Sequence, residues 1–150
     1  MIISLTGDDT IQINGRTLVD FGDGDTAVLD FPNDLVKIKT GKDGNSIYGF
    51  DNQGRQCTFT LRLLRGGADD MFLTNLLSLF QQNPAAFALL TGEFIKNIGD
   101  GNGGIKQDIY TLSGGAFKRN INAKENTEGD TEQAIAIWNL HFSNAPRSIG

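Results

Sequence analysis

A single cysteine among 150 residues rules out an internal disulfide, and a single histidine leaves no imidazole pair. These scarcities remove the commonest chemistries first. Most catalysis needs a base near neutral pKa beside a nucleophile or a metal, and His141 and Cys57 fall on separate predicted strands. Cys57 lies on an apolar strand face and reads as a buried, inert thiol. His141 reads as a strand-surface residue. No apolar run approaches the roughly 20 residues that cross a bilayer, and no leader-like segment opens the chain, so a soluble protein with no membrane partner is expected. Basic residues are outnumbered 13 to 18, giving a net charge of -5. That balance argues against a nucleic-acid binder, which needs clustered Lys and Arg facing phosphates.

Motif matches are equally thin. Asp20-Phe21-Gly22 matches a kinase magnesium triplet by letters alone. Gly99, Gly101 and Gly104 have dinucleotide-binding spacing, but they lead into a strand-like segment where a helix is required. As a calcium loop the same stretch places Gly104 at the fifth ligand position and Thr111 at the twelfth, where a bidentate Glu belongs. The acid pairs Asp23/Asp25 and Asp69/Asp70 are assigned to a turn and a helix start. The expectation is a protein that is no enzyme and carries no cofactor or metal.

What is present is β structure. Nineteen glycines, three prolines and ten phenylalanines fit short strands joined by tight turns, and 150 residues fit one domain with a core of its own. The clearest stretch is Cys57 to Asn83. Cys57, Phe59, Leu61 and Leu63 alternate with Thr58, Thr60 and Arg62, the signature of a half-buried strand. Gly66-Gly67 then breaks the pattern, and Asp69 or Asp70 can cap a helix whose apolar stripe is Phe72, Leu73, Leu76, Leu77 and Phe80. Pro84 ends it, which predicts a helix over 69–82. The stripe must rest on the inward faces of the strands. Phe72, Leu76 and Phe80 therefore join Cys57, Phe59, Leu61, Leu63 and Trp138 as expected core residues, and truncating Phe72 or Leu76 is expected to cost roughly 2–5 kcal/mol. The fold class is mainly β, a sandwich or barrel with one flanking helix.

Along the rest of the chain, Met1–Thr6 reads as an edge strand or an arm. Asn14-Gly15 marks a two-residue hairpin turn, and a strand covers Ala27–Phe31. Leu35–Thr40 is a strand with Lys37 and Lys39 opposite Val36 and Ile38. Gly41–Gly54 is a glycine-rich loop that nevertheless carries Ile47, Tyr48 and Phe50. It is either a hairpin folded onto the core or an arm that docks on another subunit. Glu93–Ile98 reads as a short strand. Ser113-Gly114-Gly115 reads as a turn between strands Ile105–Leu112 and Ala116–Ile121, Asn122–Glu132 as an exposed connection, and Gln133–Phe142 as a central strand. The tail, 143–150, carries no fold signal and is expected to be flexible.

Charge is unevenly spread. Residues 1–34 hold seven Asp and one Arg, while residues 35–65 hold six Lys or Arg and two Asp. Either these are ordinary solvated loops, or copies meet head to tail with acidic against basic patches.

The run DFPNDLVKIKTGKDGNSIYGFDNQGRQCTFTLRLLRGGADDMFLTNLL, together with GAFKRNINAKENTEGDTEQAIAIWNLHFS, resembles the tail tube proteins of contractile-tailed bacteriophages over most of Asp30–Ser143. The likeness lies in the order of a lysine-bearing strand, a glycine-rich loop, a threonine-rich strand, a turn and a helix. The resemblance implies a virion protein assembled in the host cytoplasm. It would form homohexameric rings stacked into a hollow tube inside a sheath, bounded by baseplate and tail terminator proteins, with DNA passing transiently through the lumen. By position, Gly41–Gly54 matches the family's inter-subunit loop, which makes Lys37, Lys39, Lys42, Ile47, Tyr48 and Phe50 interface candidates. Alternatives are a baseplate or tail-completion adaptor, or a secretion or bacteriocin tube, of the same fold. From another class, a monomeric ligand-binding β domain would use Tyr48, Phe50 and Trp138 to line a groove.

Overall fold

In chain order the strands are β1 (Ser4–Ile13), β2 (Arg16–Leu18), β3 (Ala27–Asp30), β4 (Val36–Thr40), β5 (Ser46–Phe50) and β6 (Cys57–Leu64). The helix α1 (Ala68–Gln82) follows, then β7 (Leu90–Gly99), β8 (Ile105–Phe117), β9 (Asn122–Ala123), β10 (Ile135–Asn144) and β11 (Arg147–Ile149). This computed structural model describes residues 1–22, 24–123 and 131–150; Asp23 and most of the expected connection Asn122–Glu132 lie outside the described residues. All the pairings are antiparallel, in the order β2-β1-β7-β8-β10-β6-β3, with β11 added to β8 and β9 to β10. The protein is therefore mainly β with one helix.

Local chemistry sets the elements. In β6 the period-two pattern puts Cys57, Phe59, Leu61 and Leu63 inside and leaves Thr58, Thr60 and Arg62 half-buried. The β1–β2 turn has Asn14 at φ 52° and Gly15 at φ 80°, the positive values that a two-residue hairpin turn demands. Of the opening residues, 1–3 precede β1, and among the described residues Ser4 and Leu5 pair only with β7, as an edge, because β2 covers β1 only at Ile11, Gln12 and Ile13. Strand β10 is central, between β8 and β6, as its two apolar faces predict.

The sheet rolls over on itself. Phe59 of β6 stacks on Phe94 of β7 at 5.5 Å between ring centroids, although β8 and β10 separate those strands in the sheet. After β2 the chain leaves the β1 side and attaches to β6, with Leu64 N–H donating to Asp20 O at 2.8 Å and Gly22 N–H to Arg62 O at 2.9 Å. One short segment thus ties together two distant strands of the sheet. Helix α1 covers the interior with Leu73 and Leu77, and Trp138, Phe142, Leu140 and Ile13 are completely buried within it.

Three expectations about the helix and the strands are corrected. Phe72, Leu76 and Phe80 are only half-buried, flanking a seam whose fully buried members are Leu73 and Leu77. Phe72 lies under the Arg16 guanidinium at 5.3 Å, and Phe80 packs edge-on against Phe87 at 5.3 Å. The two expected strands around Ser113-Gly114-Gly115 are one 13-residue strand, β8. The glycines are a bulge, not a turn. Gly114 has φ 64°, and a Cβ on Gly115 would strike the Phe142 ring and come within 2.8 Å of Leu90, so the backbone passes beneath them because it lacks one. The tail is not free: β10 runs to Asn144, β11 pairs with β8, and Arg147 donates to both Asp108 oxygens at 2.7 and 2.8 Å.

The helix start is also different from expectation. Gly67 is the N-cap, and no side chain caps the first turn. Asp69 and Asp70 instead point inward, 0% and 8% exposed. Asp69 accepts from Val19 N–H at 2.7 Å, Asp20 N–H at 2.9 Å and Arg16 Nε at 3.0 Å. Asp70 accepts from Gly66 N–H and from Trp138 Nε1, both at 2.9 Å. Burial pushes the Asp69 pKa up, but the two amides and the Arg16 guanidinium outweigh it and hold the carboxyl below its ordinary value. These two acids clamp the helix to β2 on one side and to β10 on the other.

Candidate assembly surface

Among the described residues, strands β4 and β5 form a two-stranded sheet of their own and join no strand of the main sheet. Their sequence explains the hairpin. Thr40 and Ser46 face each other across the end, Gly41 N–H donates to Asn45 O at 2.7 Å, and Gly44 N–H donates back to Gly41 O at 3.1 Å. At the root, Asp51 N–H donates to Leu35 O at 2.8 Å, and the Asp51 carboxylate accepts from Gln53 N–H at 2.9 Å, starting a 3₁₀ turn over Asn52–Arg55. The root is fixed and the arm extends from it.

The alternative expectation that Gly41–Gly54 folds onto the core is corrected: the segment supplies the turn and second strand of a hairpin that stands off the core. All of β5 is exposed, and only Val36 of β4 is half-buried. Register pairs Val36 with Phe50 and Ile38 with Tyr48, so these four share one face; Lys37 and Lys39 share the other with Gly49 and Ile47. Phe50 is 87% exposed and Ile47 72%. The structure therefore brings Lys37, Lys39, Ile47, Tyr48 and Phe50 onto one arm, with Lys42 in its end loop. A two-stranded hairpin is marginal in water without a layer against its apolar face, and an exposed row of large apolar groups marks an interaction surface. An ion pair here, Lys37 Nζ to Asp51 at 3.7 Å, is long and solvated on the lysine side and contributes little.

Two further surfaces escaped the sequence reading. Ile2, Ile3, Leu5, Ile105 and Ile149 are exposed at 53–72%, and several of them border a depression of about 480 Å3. A cavity of about 600 Å3 lies beside the arm root, lined by Phe31, Leu35, Arg55, Tyr110, Pro146 and Arg147. The local signal for the first was the apolar start, Met1–Thr6, read as an edge strand or an arm.

The other candidates are dispersed or structural. Trp138 is 0% exposed with its Nε1–H on Asp70, so it lines no groove with Tyr48 and Phe50. Cys57 is buried and its thiol is pushed up to about 11 by burial, partly offset by its hydrogen bond to Phe142 O. His141 pairs in register with Thr58, facing away from the side where Cys57 lies. Asp100 accepts from Asn102 and Gly104 amides at 2.7 and 2.9 Å, which closes the glycine-rich loop on itself. Among the described residues no three His, Cys, Asp or Glu side chains gather as a metal site, and no helix is long and apolar enough to cross a membrane. No protein family model matches the chain, and no curated protein matches it in sequence.

Proposed function

We propose that the chain is a structural, self-assembling virion protein, a tail tube subunit whose copies form hexameric rings stacked into a conduit for DNA. The observation that carries this reading is the β4–β5 hairpin, with an exposed face of Ile38, Tyr48 and Phe50 held out from a fixed root. A lone monomer gains nothing from ordering that face. A neighbouring copy that covers it gains roughly 1.5–3 kcal/mol for each large side chain buried. The sequence resemblance over Asp30–Ser143 supplies the ring and the tube. The test is negative-stain microscopy of the purified protein over a concentration series, beside Phe50→Asp. Rings or tubes from the natural sequence, and folded monomers from Phe50→Asp, are expected. Dispersed monomers of the natural sequence at every concentration would sink the reading. Rings that never stack would favour a single-ring adaptor.

A further inference from the structure

Building on the self-assembly reading, we propose that β4 of one copy adds to the free edge of β3 of a second copy. Both edges are available. Among the described residues β3 pairs only with β6, and β4 only with β5, so each offers a row of unpaired backbone groups on its other side.

Charge selects this pairing over others. The hairpin from Val36 to Phe50 carries three Lys and one Asp, a charge of +2 in a chain whose total is -5, which leaves -7 elsewhere. From Asp20 to Asp34 there are five Asp and no Lys or Arg, and β3 runs through the middle of that stretch. Asp25, Asp30 and Asp34 are exposed. Arg62 on β6, and Lys118, whose Nζ donates to Thr58 on β6 at 3.1 Å, lie inward of β3. A strand approaching from the free edge meets the carboxylates first. An acidic edge repels the β3 of another copy and accepts a lysine-bearing strand, which turns an exposed edge into a selective one.

The faces also agree. Ala27 and Leu29 pack toward the core, and Phe31 lies 6.4 Å from the Tyr110 ring on the same side, which leaves Val28 and Asp30 facing outward. Side chains alternate along an added strand, so only two facings exist. One of them sets Lys37 and Lys39 on the Asp30 side and at the same time lays Val36, Ile38, Tyr48 and Phe50 along the side where Leu29 and Phe31 point. The apolar layer is then continuous from one copy into the next. Within a single copy this contact is not made, although only residues 31–35 separate the two strands.

A charge exchange tests the pairing. Lys37→Glu/Lys39→Glu and Asp25→Lys/Asp30→Lys change exposed positions only, and each protein is first checked for the buried fluorescence of Trp138. Reversing the charge on either side of the junction is expected to raise the critical concentration of each variant alone roughly tenfold or more. An equal mixture restores attraction between unlike copies and is expected to assemble like the natural protein. A mixture that stays monomeric while the natural protein assembles overturns the pairing, as do variants that each assemble normally. A natural protein that never assembles overturns the self-assembly reading and this inference with it. Independently of charge, Asp30→Cys protein mixed with a mass-tagged Lys39→Cys protein is expected to give a mixed dimer with a short bis-maleimide, and its absence counts against the pairing.

Discussion

Replacing Asp69 by alanine removes a carboxylate that three donors share: the Val19 and Asp20 amides and the Arg16 guanidinium. A hydrogen bond to a charged group contributes roughly 1.5–3 kcal/mol, and a buried donor left without a partner costs roughly 1–3 kcal/mol. Full addition would overstate the loss. The Arg16 side chain is 42% exposed and can return to water, while the two amides lie beneath a carboxylate that is 0% exposed. The amides therefore dominate, and a loss of about 2–4 kcal/mol is expected. For a chain of this size that is a fall in Tm on the order of 10 °C. Urea unfolding followed by Trp138 fluorescence reads it directly, because the indole is buried and bonded to the neighbouring Asp70. Asp69→Asn keeps an acceptor for the amides but turns a donor or a neutral oxygen toward Arg16, so it should fall between the two. A loss under about 0.5 kcal/mol for Asp69→Ala, the range of ordinary surface substitutions, would refute the clamp.

Acid should loosen the same clamp. Asp69 and Asp108 both titrate below the ordinary carboxylate value, Asp69 because its donors outweigh burial and Asp108 because of its bond to Arg147. Their contribution is complete above about pH 4 and is lost as pH falls through the lower folded values, so acid unfolding midpoints should shift upward in Asp69→Asn. Leu73→Ala should cost about 2–5 kcal/mol by calorimetry, whereas half-buried Phe72→Ala or Leu76→Ala should cost about 1–2 kcal/mol; equal losses would contradict the burial ranking. Gly115→Ala forces a methyl into the Phe142 ring and should destabilise by about 1–3 kcal/mol, read as a lower urea midpoint. Cys57 should resist a thiol reagent at pH 8 until the protein is unfolded, since a thiol near 11 is almost wholly protonated there; prompt reaction of the folded protein would place it at the surface.

Strand β6 and the Asn14-Gly15 turn were legible because their causes are local: one alternates strictly against one face of the core, and the other needs only two residues with positive φ. Gly114-Gly115 misled because a turn and a bulge use the same residue, and what distinguishes them is the Phe142 ring and Leu90 lying over the backbone. The tail misled for the same reason: its partner is β8, about forty residues earlier. Asp69 and Asp70 read as caps within their own window, yet apart from the Gly66 amide, four residues from Asp70, their donors are 49 to 68 residues away, at Val19, Asp20 and Trp138, with Arg16 in between. For the arm, the sequence showed apolar residues where a loop should be polar, and so identified the segment. Its geometry, with Lys37 and Lys39 on one side and Tyr48 and Phe50 on the other, followed only from the register of β4 against β5.

That register also makes the hairpin a weakly held part of the fold. Its amides are protected by a single ladder of five residue pairs, with no third strand beside it among the described residues. Opening it exposes almost no apolar surface that is not already exposed, so its opening free energy should be a small fraction of the global value. Hydrogen exchange should therefore find two populations in a lone subunit, with rapid exchange between Val36 and Phe50 and slow exchange along β6 and β10. Three lysines in that opening segment also make it a natural site of tryptic nicking. A subunit cut there would keep its core and its tryptophan signal while losing the part that meets its neighbours.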